Sequence, residues 1–114
     1  MERLLYVEDD ELLMSVTLMA LEDAGYEVTH VSDGRQAKAV LAGDDPFDCV
    51  VSDISMPGGV SGVEVADEAR RRRPSCRTVL VSGYARTQLP PLPEGVVFVE
   101  KPYRIGQLVG ALRR

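Results

Sequence analysis

The sequence predicts an α/β fold in which five parallel strands lie in the order 2-1-3-4-5 with helices on both faces of the sheet. Three observations carry that reading. Short apolar or β-branched runs alternate with helix-length segments from one end of the chain to the other, and such alternation implies parallel strands joined by crossover helices. The third, fourth and fifth strand candidates are apolar throughout, as strands covered on both faces must be. Polar residues able to carry chemistry follow the strand candidates at their carboxyl ends, where an open α/β sheet binds ligands.

Arg3 to Val7 is the first strand candidate, stopped by Glu8, Asp9 and Asp10. Asp10 can cap a helix from Glu11 to Ala24, with Gly25 just past its end. Glu27 to Val31 is short and β-branched, hence a second strand. Asp33-Gly34 opens a helix through Leu41, ended by Gly43, and Asp44-Asp45-Pro46 is a turn. Cys49 to Ser52 is a buried third strand. Ser61 followed by Glu64 reads as a capping box for a helix to about Arg73, stopped by Pro74. Thr78 to Val81 and Val96 to Val99 are the last two strands, and Ile105 to Arg113 the last helix. Between those strands, Arg86 to Gly95 contains Pro90, Pro91 and Pro93. Proline breaks helices and pushes its preceding residue out of helical geometry, so the helix of that crossover should be short or absent.

The 114 residues suit one domain spanning 1–114. Eighteen acidic against 13 basic residues give a net charge of −5 with no basic stripe, which argues against direct nucleic-acid binding. The run Arg70 to Arg73 reads as the solvated end of a helix. No apolar stretch reaches the ~20 residues of a membrane span, and no secretory signal opens the chain. Cys49 and Cys76 form no CxxC or metal spacing, so reduced thiols and a cytoplasmic location are expected. His30 is the sole histidine and lies in a strand-like run. Histidine-based triads, histidine-rich zinc sites and a phosphohistidine helix therefore lack their parts.

Glu8 and Asp9 end the first strand, Asp53 follows the third, Ser82 the fourth, and Glu100-Lys101 the fifth. Each acid alone could be a helix cap, and Asp10 is read as one. Together they form a crevice, because neighbouring strands are ~4.8 Å apart. Two such carboxylates repel by about 3–4 kcal/mol at an effective dielectric of ~20. Lys101, reaching from a more distant strand, is expected to offset that only in part, leaving room for a hard divalent cation. Magnesium suits few carboxylates plus water and phosphate oxygens, and an oxygen-only site disfavours zinc or copper.

Val7-Glu8-Asp9-Asp10, Val51-Ser52-Asp53-Ile54-Ser55-Met56-Pro57, Val81-Ser82-Gly83-Tyr84-Ala85 and Glu100-Lys101-Pro102-Tyr103 together resemble the receiver domains of two-component response regulators. The resemblance covers essentially the whole chain and implies a flavodoxin-like, CheY-like fold. It implies that Asp53 accepts a phosphoryl group from a sensor histidine kinase or histidine phosphotransfer domain, in a reaction needing Mg2+, for which Mn2+ can substitute. Glu8 and Asp9 would hold the metal, Asp9 most directly, with Asp53 and the backbone carbonyl of Ser55 completing the protein ligands. Ser82 and Lys101 would each meet a phosphoryl oxygen, and Ser82 and Phe98 occupy the switch positions. Such a domain is a signalling phosphoacceptor that catalyses only its own phosphorylation and dephosphorylation. The Ser-Gly-Tyr-Ala turn is similar to that of hybrid sensor kinases.

The first helix carries more leucine and methionine than one buried stripe can hold. The resemblance makes Leu12, Met14, Leu18 and Met19 the expected partner-docking residues. Three features depart from the family pattern. The turn Met56 to Gly62 is one residue longer, with glycines suited to positive φ. Serine replaces the commoner threonine at position 82. The proline-rich crossover removes a helix that many relatives use for dimerisation. Two rival chemistries lack their residues. A haloacid-dehalogenase-type hydrolase expects aspartate where Ser55 stands, and a flavin-binding fold expects a phosphate loop where three acids stand.

Overall fold

The computed structural model describes residues 1–113. The strands are β1 (Arg3–Val7), β2 (Glu27–Val31), β3 (Cys49–Asp53), β4 (Arg77–Ser82) and β5 (Val97–Glu100). The helices are α1 (Glu11–Asp23), α2 (Gly34–Leu41), α3 (Gly62–Arg72) and α4 (Ile105–Leu112). The strands form one parallel sheet in the order β2-β1-β3-β4-β5, as the alternation predicts. Residue parity sorts the core onto two faces. Leu4, Tyr6, Val51, Val79 and Val81 pack with Leu21 of α1 and Leu108 and Leu112 of α4. Leu5, Val7 and Val50 pack with Ala37 and Leu41 of α2 and Val65 and Ala69 of α3.

Local chemistry starts each helix where the sequence places it. Asp10 accepts hydrogen bonds from the backbone N–H groups of Leu12 and Leu13, at 3.0 and 3.1 Å. Asp33 caps α2 through Gln36 N–H at 2.9 Å, and Ser61 caps α3 through Glu64 N–H at 3.3 Å. Such caps satisfy donors that a helix's first turn leaves unpaired, each worth about 1 kcal/mol. Gly25 has φ of 100°, the left-handed conformation that ends α1.

One expectation needs correction. The fifth strand is not buried on both faces: Val97 and Phe98 are half-buried and Glu100 is exposed. It is an edge strand, and the crossover that should cover it forms only a single 3₁₀ turn at Arg86–Gln88. From there an irregular strap follows, and Leu89, Leu92 and Val96 pack against Ile54, Ala66 and Leu80 in the place of a helix. The short helix was expected; its apolar replacement was not.

The arginine run is the solvent-exposed end of α3, as its sequence implies, and it is also ion-paired. Arg71 and Arg72 both bind Glu68, Arg73 pairs with Asp48 at 3.2 Å, and Arg70 donates to the Glu94 carbonyl of the strap. Arg77 joins both ends of the chain, reaching Glu2 at 2.6 Å and the Leu112 carbonyl at 2.7 Å.

Candidate functional site

Val7 is wholly buried, and the chain leaves the sheet immediately after it, so Glu8 and Asp9 stand on the carboxyl edge. Glu8 is tied down on every side. Its N–H donates to the Val31 carbonyl at 3.2 Å, and His30 Nε2 lies 2.9 Å from its own carbonyl. Its side chain, only 3% exposed, accepts from Asp10 N–H at 3.1 Å through Oε2. Asp9, by contrast, is exposed.

Asp53 ends β3, between β1 and β4, and is 8% exposed. Beyond it, Ile54 N–H donates to the Val81 carbonyl and Gly62 N–H to the Ile54 carbonyl, both at 2.9 Å. Burial raises the Asp53 carboxyl above its ordinary range; Lys101 opposes that shift, while Glu8 and Asp9 add to it. Ser55 follows in an exposed turn, and Gly58 and Gly59 adopt φ of 93° and 82°. The loop after β3 leans on α2, where a Cβ on Gly34 would lie 2.7 Å from the Val60 carbonyl oxygen.

Lys101 sits where the separate elements meet. Its N–H donates to the Ser82 carbonyl at 2.8 Å, which turns the chain back over the sheet edge. Its ammonium then lies 3.0 Å from Glu8 Oε1 and 3.1 Å from Asp53 Oδ2. Lys101 reaches the acids from the end of β5, two strands from Asp53, and its single charge meets two of the three. Burial alone would lower the Lys101 ammonium, but the Glu8 hydrogen bond and the Asp53 charge outweigh it and hold it above its usual value.

Glu8, Asp9 and Asp53 each offer a carboxylate oxygen, all within 4.8 Å of one another. Two of these acids share Lys101, so one cation faces three carboxylates. That imbalance and the all-oxygen donor set fit a hard divalent ion. Ser82 is buried, and its hydroxyl accepts from Tyr84 N–H at 3.0 Å. Phe98 stands beside Leu80 in the sheet and packs with the strap cluster, a core role that leaves its switching role open to test.

On α1, Leu12 and Met19 are 84% and 66% exposed, and Val16 between them is 70% exposed. Spaced at helical intervals, the three form an apolar ridge along α1. Val16 belongs to it, whereas the sequence pointed to Leu12, Met14, Leu18 and Met19. Met14 and Leu18 are half-buried, Met14 against the core. His30 and Thr17 also lie near the site and had no sequence signal, since each sits in an ordinary strand or helix pattern, whereas Tyr103 follows Lys101 in a motif the resemblance already marked. A groove of about 410 Å³ opens between Asp10, Leu13 and the Lys101–Tyr103 loop.

The sequence profile of the response regulator receiver domain matches residues 4–113. The chain belongs to the response regulator receiver family. Among curated proteins this receiver is 32% identical to the response regulator receiver protein CpdR of Brucella abortus, covering 100% of this chain and 96% of that one. It spans 44% of the next curated relatives it matches. A solved response regulator receiver protein of Sinorhizobium medicae superposes with a TM-score of 0.91 at 32% identity, covering 98% of this receiver and 91% of that chain. The complex of the histidine kinase ThkA with the response regulator TrrA, the latter from Thermotoga maritima, contains a chain similar at TM-score 0.83 and 26% identity, with 99% of this receiver and 97% of that chain covered. The receiver is thus a signalling domain of two-component systems, and no helix among its described residues is long and apolar enough to cross a membrane.

Proposed function

We propose that Asp53 is the phosphoacceptor. The phosphoryl group passes from the phosphohistidine of a sensor kinase or phosphotransfer domain to the Asp53 carboxylate. The P–N bond breaks as the new P–O bond forms, and the imidazole leaves with the electron pair. The observation that carries this reading is Lys101, held 3.1 Å from Asp53 and 3.0 Å from Glu8 at the open carboxyl edge of the sheet. An ammonium there meets a transferring phosphoryl oxygen without reorganising. Asp9, exposed and unpaired with Lys101, would hold Mg2+ most directly, with Asp53, the Ser55 carbonyl and Glu8 completing its surroundings; Mn2+ would serve as well. Held there, the ion would supply positive charge to the phosphoryl oxygens. The Ser82 hydroxyl would leave Tyr84 N–H to meet another of them, and Phe98 would pass that change to the strap. On this reading residues 1–114 work as one cytoplasmic domain that catalyses only its own phosphorylation and dephosphorylation. Incubation with acetyl phosphate and magnesium should add one phosphoryl group by intact mass, mapped to the peptide holding Asp53. No addition, or a label on another residue, would overturn the proposal.

Metal binding makes a second prediction. At 4.8 Å and a dielectric of ~20, Asp9 feels about 3 kcal/mol of repulsion per neighbouring charge, before screening and Lys101 reduce it. In chelator, Asp9→Asn should therefore melt slightly higher than the wild type, by an amount on the order of 1 kcal/mol or less. Magnesium at ten times Kd should stabilise the wild type by about 1.4 kcal/mol and the variant much less. Equal magnesium responses in thermal melts would remove Asp9 from the metal site.

The ridge on α1 is the proposed docking surface. Leu12→Glu and Met19→Glu change exposed positions, so the fold and acetyl phosphate labelling should persist. Phosphotransfer from a cognate kinase should fall about tenfold or more, as for an apolar anchor at an interface. Undiminished transfer would place docking elsewhere.

A further inference from the structure

The buried face between β1, α1 and the loop after β5 contains three hydroxyl groups in otherwise apolar surroundings. Thr17 of α1 is 2% exposed, and its Oγ1 lies 3.0 Å from the Tyr103 hydroxyl, a bond between residues 86 apart in sequence. Tyr6 of β1 is buried beside them, its hydroxyl without a hydrogen-bond partner among the described residues. Buried hydroxyls add little net stability, because the bond they make replaces bonds to water. Valine at position 17 and phenylalanine at 103 would fill the same space without that cost. What the polar pair adds is direction, since a hydrogen bond selects one placement of the loop against α1 where apolar contact tolerates several.

That placement matters because Tyr103 lies two residues from Lys101. The segment between them leaves the sheet edge at Glu100 and has few other ties. Lys101 N–H is held by the Ser82 carbonyl at 2.8 Å, and Arg104 N–H is held locally by Gln107 at 2.8 Å. The Thr17–Tyr103 bond is the side-chain tie joining this segment to α1. The Lys101 ammonium must meet Glu8 and Asp53 together, and its flexible stem adds four rotatable bonds to any slack in the loop.

We propose that Thr17 and Tyr103 are positioning residues that fix the loop after β5 so that Lys101 bridges Glu8 and Asp53. The functional consequence rests on the phosphoacceptor reading; the positioning itself does not. Thr17→Val and Tyr103→Phe each delete one hydroxyl and keep the volume, and Thr17→Ser restores the bond.

The chain has two lysines, Lys38 on α2 and Lys101, so Lys38 is an internal reference. Brief acetylation of the folded, metal-free protein with acetic anhydride, read by peptide mass, gives the reactivity of Lys101 relative to Lys38. The ratio should rise several-fold in Thr17→Val and Tyr103→Phe, return to the wild-type value in Thr17→Ser, and rise no further in the double variant. With magnesium, labelling by acetyl phosphate should slow about tenfold in both single variants. A pair that merely stabilised the core would lower the melting temperature and leave the lysine ratio and labelling rate where they were; that outcome overturns the proposal, as does additive behaviour of the two substitutions. A wild type that acetyl phosphate does not label would instead sink the phosphoacceptor reading, while the lysine ratio would still decide the positioning.

Discussion

Asp53→Asn should abolish phosphoryl labelling and, in the absence of metal, raise the melting temperature at neutral pH. The first effect is all-or-none, because the amide cannot attack as the carboxylate does and no other acid ends a buried strand beside Glu8 and Lys101. The second follows from the raised pKa of Asp53, whose first cause is burial, with Glu8 and Asp9 adding to it. A folded-state value above the unfolded one means that the native protein holds this proton more tightly. Its contribution is fully present below the unfolded carboxylate range and is lost as pH rises through the folded value. At pH 7 the charged Asp53 therefore weighs against folding, an effect that Lys101 reduces, and asparagine removes that load. The advantage of the variant should fade as pH falls through the raised folded value, where the wild-type carboxyl also becomes neutral. Melts of both proteins across that range in chelator test the sign. A variant that melts lower at every pH would mean that the Lys101 pairing outweighs the burial of the charge. Labelling that survives in the variant would move the phosphoacceptor elsewhere.

Gly62→Ala should cost more stability than any other single methyl addition in the chain. A Cβ there would lie 2.1 Å from the Asp53 carbonyl oxygen and 2.8 Å from its carbonyl carbon. Both are backbone atoms of the strand that carries the acceptor, so neither can rotate away. Overpacking of this kind costs about 1–3 kcal/mol, and the rigidity of both partners puts it at or above the upper end. For a chain of this size that is a fall in melting temperature on the order of 10–15 °C. Relief requires moving the start of α3 away from β3, which also breaks the Gly62 N–H bond to Ile54. Labelling of Asp53 should therefore weaken together with stability. Gly106→Ala in α4 is the control, since a Cβ there meets nothing within 4 Å. Alanine in a helix is favoured over glycine by up to about 1 kcal/mol, so that variant should melt at or above the wild type. If Gly62→Ala melts like Gly106→Ala, the close approach of α3 to β3 is softer than this geometry requires.

Sequence alone determined the order and type of the elements, the start of each long helix and the strand ends that carry the site. These follow from interactions among near neighbours. Apolar period distinguishes strand from helix, Asp10, Asp33 and Ser61 each cap within three residues, and Pro90, Pro91 and Pro93 deny helical geometry to their own segment. Strand alternation then brings Glu8, Asp9 and Asp53 to one edge of the sheet without any contact having to be known. The tertiary structure alone decided how those residues are held. Lys101 reaches Glu8 across 93 residues of chain because its backbone is turned back by the Ser82 carbonyl, a contact with no local pattern. The strap covers Ile54 and Leu80 with Leu89 and Leu92 although its prolines announce only what it cannot be. On α1, the helical period could not tell Leu12, Val16 and Met19, which face solvent, from Met14, which packs inward. That choice depends on where α4 and the loop after β5 come to rest. Thr17 meets Tyr103 for the same reason: directional contacts between distant segments are settled by packing, and packing is a property of the assembled chain.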